Sequence, residues 1–393
     1  MVIKNLENYR FVKQADVYKN GTLAGQLTRL DGGEIEFRYL ADYDGKAVAS
    51  TLPLDANHTP SHGLPPFFAG LLPEGHRLTQ LQRAIKTSAD DELSLLLAVG
   101  QDAPGDVQIV ETGKKPQEPV PLVARDISEL DFRDFDERID SHAIPGVQRK
   151  ASATMMNVPL NIGRIPAILK LDPPEHQHLV LNENLHLQNA QNLKIPVAEG
   201  KLVHDAKDRP GLLVRRFDRV VSDDGEITRL AMEDGAQALG ILPAQKYAVD
   251  AAEVVLALAR LTDAPMVAVR NMYLQFAFAY LTGNGDLHAK NLAVVTGSDG
   301  KTVVAPVYDI PCTALYRDLS MALPLNGKLK KLKLSDWDAF AESIGLPLRA
   351  ARAANKLALK AAAGIDLSEL PFAGSVLNGA VRELKFRRDA ITE

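Results

Sequence analysis

Cysteine is almost missing from this 393-residue chain, in which Cys312 stands alone. No internal disulfide and no cysteine-based zinc site can form, and a reducing, cytoplasmic compartment is expected. No run reaches the roughly 18 uncharged apolar residues of a membrane span. The N-terminus, MVIKNLENYR, lacks an apolar signal region. Neither charge dominates: 45 Lys and Arg stand against 50 Asp and Glu, a formal charge of −5. A protein whose whole surface grips a polyanion would be strongly basic, so nucleic acid is left a local patch at most. Lys328, Lys330, Lys331 and Lys333 lie close enough to form one, or simply a solvated basic face. No internal repeat is visible.

What the chain does have is the apolar content of an ordinary globular protein, 46% against 24% charged residues. Its length exceeds the roughly 100–200 residues that one folding unit usually serves, so two or three units are expected. Asn20-Gly21, between two apolar-containing runs, is a hairpin cue. Gly33 to Tyr39 alternates polar and apolar as a half-buried strand would, and Pro65 to Leu97 turns helical. Residues 114–124 are Pro-rich and suit a connector, and Arg125 to Asp140 is strongly acidic. Ala151 to Leu160, Pro166 to Leu171 and Leu212 to Phe217 read as strands, and Leu181 to Leu193 as a helix. Beyond about residue 230 long 3.6-period stripes take over, at Tyr247 to Leu261 and Val267 to Leu281. Ser335 is the expected N-cap of a later helix, and Arg349 to Ala363 is Ala-rich and helical. The fold class expected is α+β: an N-terminal α+β subdomain over 1–125, a β-rich lobe over 126–220 and an all-helical lobe over 221–393.

The most informative stretch is Gly283-Asn284-Gly285-Asp286-Leu287-His288-Ala289-Lys290-Asn291. Downstream, Asp309 ends a second short apolar run. Phosphoryl transfer needs this pattern: one Asp to orient the accepting hydroxyl and take its proton, then an Asn and a second Asp to hold Mg²⁺ against nucleotide phosphates. Protein kinases use the same five-residue step from Asp to Asn. A polar glycine turn closed by local backbone bonds is the structural alternative. A kinase also needs a strand lysine, and Lys170 stands in the apolar strand AILKL. Glu183, at the start of the following helix, is its candidate partner. An edge lysine and a helix-dipole glutamate are the plain alternatives. The loop Pro145-Gly146-Val147-Gln148-Arg149-Lys150 lies upstream, neither a Walker A nor a GxGxxG motif. The serial order of loop, Lys, Glu, Asp–x4–Asn and Asp is that of a two-lobed kinase.

With these residues in hand the chain resembles the HipA family of bacterial serine/threonine kinases, toxins of type II toxin–antitoxin systems. The segments that carry the resemblance are VYKNGTLAGQLTR, IEFRYL, LLPEG (71–75), GVQRK (146–150), Asn182-Glu183, RFDR (216–219), GDLHAKN (285–291) and Tyr308-Asp309-Ile310. The resemblance implies a two-lobed protein-kinase-like fold using ATP and Mg²⁺. It implies Asp286 as the catalytic acid–base residue, with His288 and Lys290 supporting its loop, and Asn291 and Asp309 holding the metal. His288 as a metal ligand is the alternative. Lys170, paired with Glu183, would contact the ATP phosphates. Gly146, Gln148 and Lys150 would form the phosphate loop, and Arg215 and Phe217 would lie at the hinge that receives adenine. The implied partners are a HipB-like helix-turn-helix antitoxin, operator DNA mainly through it, and a protein substrate, with glutamyl-tRNA synthetase one candidate. No membrane is involved. Family members autophosphorylate on a serine a few residues before the loop glycine. That position is Ala143 here, with Ser141, Ser152 and Thr154 nearby. Two other classes remain open: an idle module docking an antitoxin on operator DNA, and a metal-dependent hydrolase built on Asp286, His288 and Asp309.

Overall fold

A computed structural model describes residues 6–56, 58–117, 127–135, 156–162, 165–173 and 175–392. The acidic stretch beyond 135, Ala143 and the loop of Gly146, Gln148 and Lys150 lie outside them. Strands β1 (Gln14–Lys19) and β2 (Thr22–Arg29) form the expected hairpin. Its turn places Asn20 and Gly21 at φ of 48° and 75°, the left-handed pair that a two-residue connection demands. β3 (Ile35–Tyr39) follows, then helices α1 (Pro66–Ala69), α2 (Gly75–Ile85) and α3 (Glu92–Val99), and β4 (Val107–Glu111) closes an antiparallel sheet of order β3-β2-β1-β4. α3 (ELSLLLAV) is apolar nearly all round because it is enclosed on nearly all sides. Phe37, Phe68, Leu96 and Ile109 belong to the core beneath the sheet.

A second antiparallel sheet of order β5-β6-β8-β7 comprises β5 (Met156–Ile162), β6 (Ile165–Leu171), β7 (Gly200–His204) and β8 (Pro210–Arg215). Helix α4 (Leu179–Ala190) joins β6 to β7 and packs on the sheet. Asp172, just after β6, starts that helix: its carboxylate accepts from the backbone N–H of His178 and Val180, both at 2.7 Å. This satisfies donors that a helix N-terminus leaves open.

The rest of the chain is largely helical but not wholly so, which corrects the expectation of an all-helical lobe. A short hairpin of β9 (Arg219–Val221) and β10 (Ile227–Arg229) leads into β11 (Ala231–Asp234). α5 (Gly235–Leu239), α6 (Ala251–Arg260) and α7 (Pro265–Thr282) follow. β12 (Ala293–Thr296) and β13 (Thr302–Val304) then pair with β11 in a three-stranded antiparallel sheet. Strands of three or four residues are too short to show a period in sequence, and their pairing joins residues some 60 positions apart. α8 (Leu334–Ser343), α9 (Leu348–Ala363) and α10 (Gly374–Thr392) complete the lobe around α7, whose Tyr273 and Tyr280 are almost fully buried beside Trp337 and whose Phe276 is buried against Phe340. Ser335 lies inside α8 rather than capping it. Asp336 takes that part by accepting from the backbone N–H of Lys333 at 2.9 Å.

The N-terminal subdomain is tied to this body by a nearly dry cluster of charges. Arg216 donates to Asp102 (3.0 Å) and Asp218 (2.8 and 3.0 Å). Arg219 donates to Asp218 (2.7 Å) and to the carbonyls of Ala103 and Gly105 (both 2.9 Å). Arg229 reaches Asp102 at 3.3 Å. The RFDR segment is therefore an interdomain lock. Burial alone would raise the Asp218 carboxyl, but the Arg216 and Arg219 guanidiniums outweigh it and hold it far below the usual range. Removing one partner leaves buried charge unpaired, which costs about 3–5 kcal/mol. Asp102→Ala should therefore lower unfolding free energy by that order, measured by denaturant titration. A carboxyl depressed in the folded state contributes stability that is complete above its unfolded pKa of about 3.9 and is lost as pH falls below it. The melting temperature of the intact chain should drop progressively below about pH 4, and more shallowly in Asp218→Asn.

Candidate active site

The cleft lies where the second sheet, α4 and the helical lobe meet, and Ile168, Lys170, Phe217, Asn291, Tyr308 and Asp309 are among its walls. Alternation along β6 sets one face: Leu169 and Leu171 turn into the sheet's own core, while Ile168 and Lys170 turn to the cleft. Lys170 Nζ meets the two Glu183 oxygens at 2.7 and 2.9 Å and Asp309 Oδ1 at 3.2 Å. Glu183 is fully buried on α4. Burial alone would lower the Lys170 ammonium, but Asp309 and Glu183 outweigh it and push it up to about 12. Burial pushes the Glu183 carboxyl above its ordinary range, with Lys170, 2.7 Å away, pulling the other way. The neighbouring Asn182 makes a two-way clasp with Cys312, its Nδ2 donating to the carbonyl (3.0 Å) and its Oδ1 accepting the N–H (2.8 Å). One turn of α4 thus holds both the lysine and the segment that follows Asp309.

The 283–291 loop is equally enclosed. Gly285 is required there: a Cβ would stand 2.5 Å from the Ser320 carbonyl oxygen and 2.7 Å from Thr313 Oγ1. Asn284 Oδ1 accepts from the Asp286 N–H at 2.8 Å. Asn291 Nδ2 donates to the Asp286 carbonyl (2.9 Å) and to Asp309 Oδ2 (3.0 Å), joining the two acidic segments through one amide. Asp309 sits at φ 54°, a left-handed backbone rarely adopted by a non-glycine residue. Such strain persists where the surroundings over-determine it. Tyr247 Oη donates to Asp286 Oδ1 at 2.8 Å. Burial and that carboxylate keep the phenol protonated, so it acts as a donor.

His288 lies edge-on to Tyr247 (4.9 Å between centroids), its Nε2 4.0 Å from Asp286 Oδ1. Burial and then Lys246 hold its pKa well below the ordinary value, so the ring is neutral. Among the described residues, no three His, Cys, Asp or Glu side chains are grouped to hold a metal ion, so Asp286, His288 and Asp309 do not form such a centre. Lys290 is nearly buried and turns to the N-terminal subdomain, 2.8 Å from Glu74 and 3.0 Å from the Gly70 carbonyl. Arg215 lines the cleft but is exposed and pairs with Glu199 at 3.3 Å. Phe217 packs against Tyr308 at 5.4 Å, and Tyr308 Oη donates to the Lys290 carbonyl at 2.8 Å.

Reading the sequence left out Glu74, Lys246, Tyr247 and Asp234 as site residues. Glu74 stood in the recognised LLPEG segment, but its partners are 172 and 216 residues away, so no local spacing could assign them. Asp234, buried at the end of β11, has its carboxyl raised to about 6 by burial, against the pull of Lys290.

Known proteins bear directly on this geometry. A family model described as HipA-like C-terminal domain matches residues 142–365, and one described as HipA N-terminal domain matches 15–110. A putative kinase, Y4mE, of Sinorhizobium fredii is 28% identical over 380 residues, covering 88% of this chain and 89% of that protein. The serine/threonine-protein kinase toxin HipA of Shewanella oneidensis is 26% identical over 372 residues, covering 84% of each. A solved Shewanella oneidensis HipA, in complex with HipB and operator DNA, superposes with a TM-score of 0.76 at 21% identity over 96% of each chain, which establishes the shared fold. A family match spanning more than half of the residues, over a chain whose cleft gathers Lys170, Glu183, Asn291 and Asp309, places this protein in the HipA family.

Proposed function

We propose that the chain is a HipA-like toxin: a serine/threonine protein kinase that moves the γ-phosphoryl group of ATP to a protein hydroxyl. The observation that carries the reading is Lys170 held between Glu183 and Asp309, with Asn291 bridging Asp309 to the Asp286 backbone. Phosphoryl transfer asks the protein mostly for position and charge. Lys170 is the cation for the ATP phosphates, and Glu183 keeps it aimed into the cleft. Asp286 accepts the proton of the attacking hydroxyl, and the Tyr247 hydrogen bond fixes the orientation of its carboxylate.

Asn291 and Asp309 offer two hard oxygen-bearing groups side by side and no full protein cage. That donor set suits Mg²⁺, which takes few protein ligands beside phosphate and water oxygens. When bound there, the ion would offset charge on the transferring group. Gly146, Gln148 and Lys150 are assigned to the phosphates, and Arg215 and Phe217 to the adenine side of the cleft. Ion pairs assembled this completely argue for a working site over an idle scaffold. The likeness to a toxin solved with HipB and operator DNA supports a HipB-like helix-turn-helix antitoxin as the partner, with operator DNA reached mainly through it. Glutamyl-tRNA synthetase is one candidate substrate. No described helix is long and apolar enough to cross a membrane.

Mg²⁺ with ATP should raise the melting temperature of the whole chain, by roughly 2.7 kcal/mol of stabilisation when ATP is 100-fold above its Kd. Asp286→Asn should retain that shift while losing about 100-fold or more of phosphoryl transfer to protein, followed with radiolabelled ATP. Transfer at the wild-type rate would refute the assignment of Asp286. Free phosphate released with no labelled protein would point to the hydrolase. Lys170→Met should weaken nucleotide binding and destabilise the free protein by about 3–5 kcal/mol, because Glu183 is left buried without its cation. Calorimetry and denaturant titration measure the two effects.

A further inference from the structure

Glu74 belongs to the N-terminal subdomain, yet its carboxylate lies beneath the loop that carries Asp286. It occupies the N-cap position of α2 but makes no capping bond to that helix. Instead its Oε2 lies 2.6 Å from Lys246 Nζ and its Oε1 2.8 Å from Lys290 Nζ. Both ammonium groups are almost wholly withdrawn from water, at 0% and 3% side-chain exposure, so each needs an anion. Burial alone would raise the Glu74 carboxyl; Lys290 and Lys246 outweigh it and bring it down to about 2. The carboxylate is therefore charged throughout the working range.

Both lysines lead straight to the reacting end of the site. Lys290 is the neighbour of Asn291 and lies four residues past Asp286. The Lys246 carbonyl accepts from the Ala289 N–H at 3.2 Å. The next residue, Tyr247, donates to Asp286 at 2.8 Å. Lys290 also donates to the Gly70 carbonyl at 3.0 Å, whereas two further ties between the subdomain and the body bypass this loop: Ser50 bonds Glu233 at 2.6–3.1 Å, and Asp102 bonds the three arginines. We infer that Glu74 is a positioning residue for phosphoryl transfer, supplied by the N-terminal subdomain, which sets the Asp286 loop through Lys290 and Lys246. The inference rests on the kinase reading and adds that the N-terminal subdomain completes the catalytic site.

The test compares the full chain with Glu74→Gln, Glu74→Asp and Ser50→Ala. Initial rates of label transfer from radiolabelled ATP are measured against ATP concentration, into the lysate protein that the wild type marks most strongly. Glu74→Gln should lower kcat by roughly 10- to 100-fold, the order expected for a displacement near 1 Å, with KM for ATP nearly unchanged. Glu74→Asp should recover part of that loss. Ser50→Ala, which loosens the same interface elsewhere, should leave both constants as they are. If Glu74→Gln does not fold, Glu74→Asp carries the test alone, with a fall in kcat at constant KM expected. Wild-type kcat in a folded Glu74 variant, or an equal loss in Ser50→Ala, would overturn the inference while leaving the kinase reading intact. Absence of transfer by the wild-type chain would instead defeat the kinase reading and this inference with it.

Discussion

Lys170 is a cation with almost no water and two anions, Glu183 from α4 and Asp309 from just beyond β13. A lone ammonium in that place would cost several kcal/mol, so sheet, helix and lobe must arrive together for any of them to be stable there. The fold is organised around that requirement. Asp172 starts α4 at the right point, Asn182 clasps Cys312, and Asn291 ties Asp309 to the Asp286 segment. Each of these hydrogen bonds also sets the spacing of groups that a nucleotide and its metal would meet.

The same logic operates a second time on the other side of the loop. Lys246 and Lys290 are buried cations, and the carboxylate that neutralises them comes from the N-terminal subdomain. The RFDR cluster with Asp102 provides a third such meeting of charges, further from the reacting groups. At these places the subdomain is joined to the body by charges that have few alternatives to one another. Apolar contacts tolerate sliding; paired buried charges do not.

The local signals in the chain were mostly readable. The Asn20-Gly21 hairpin, the strand of Lys170, the helix of Glu183 and α7 all stand close to where periodicity and turn chemistry put them. The site was readable because its residues occur in short, chemically dense segments in a serial order. Three features escaped. The short strands β11 to β13 fall below the length at which a period can be seen. Ser335 looked like a cap, but Asp336 one residue later offered the stronger acceptor. Lys246 and Tyr247 sit in unremarkable local contexts, and Glu74, though inside the LLPEG segment, shares with them partners far along the chain that no local spacing assigns.

The sequence alone determined the α+β character, the family and a set of candidate site residues, because these rest on composition, local period and short motifs. Tertiary structure alone decided which charges neutralise which: that Lys290 faces Glu74 rather than the cleft's acids, that RFDR locks a subdomain in place, and that Tyr247 grips Asp286. The physical reason is that desolvated ion pairs form between residues brought close by packing, and their energy depends on distance and burial, neither of which is written in the spacing of residues along the chain.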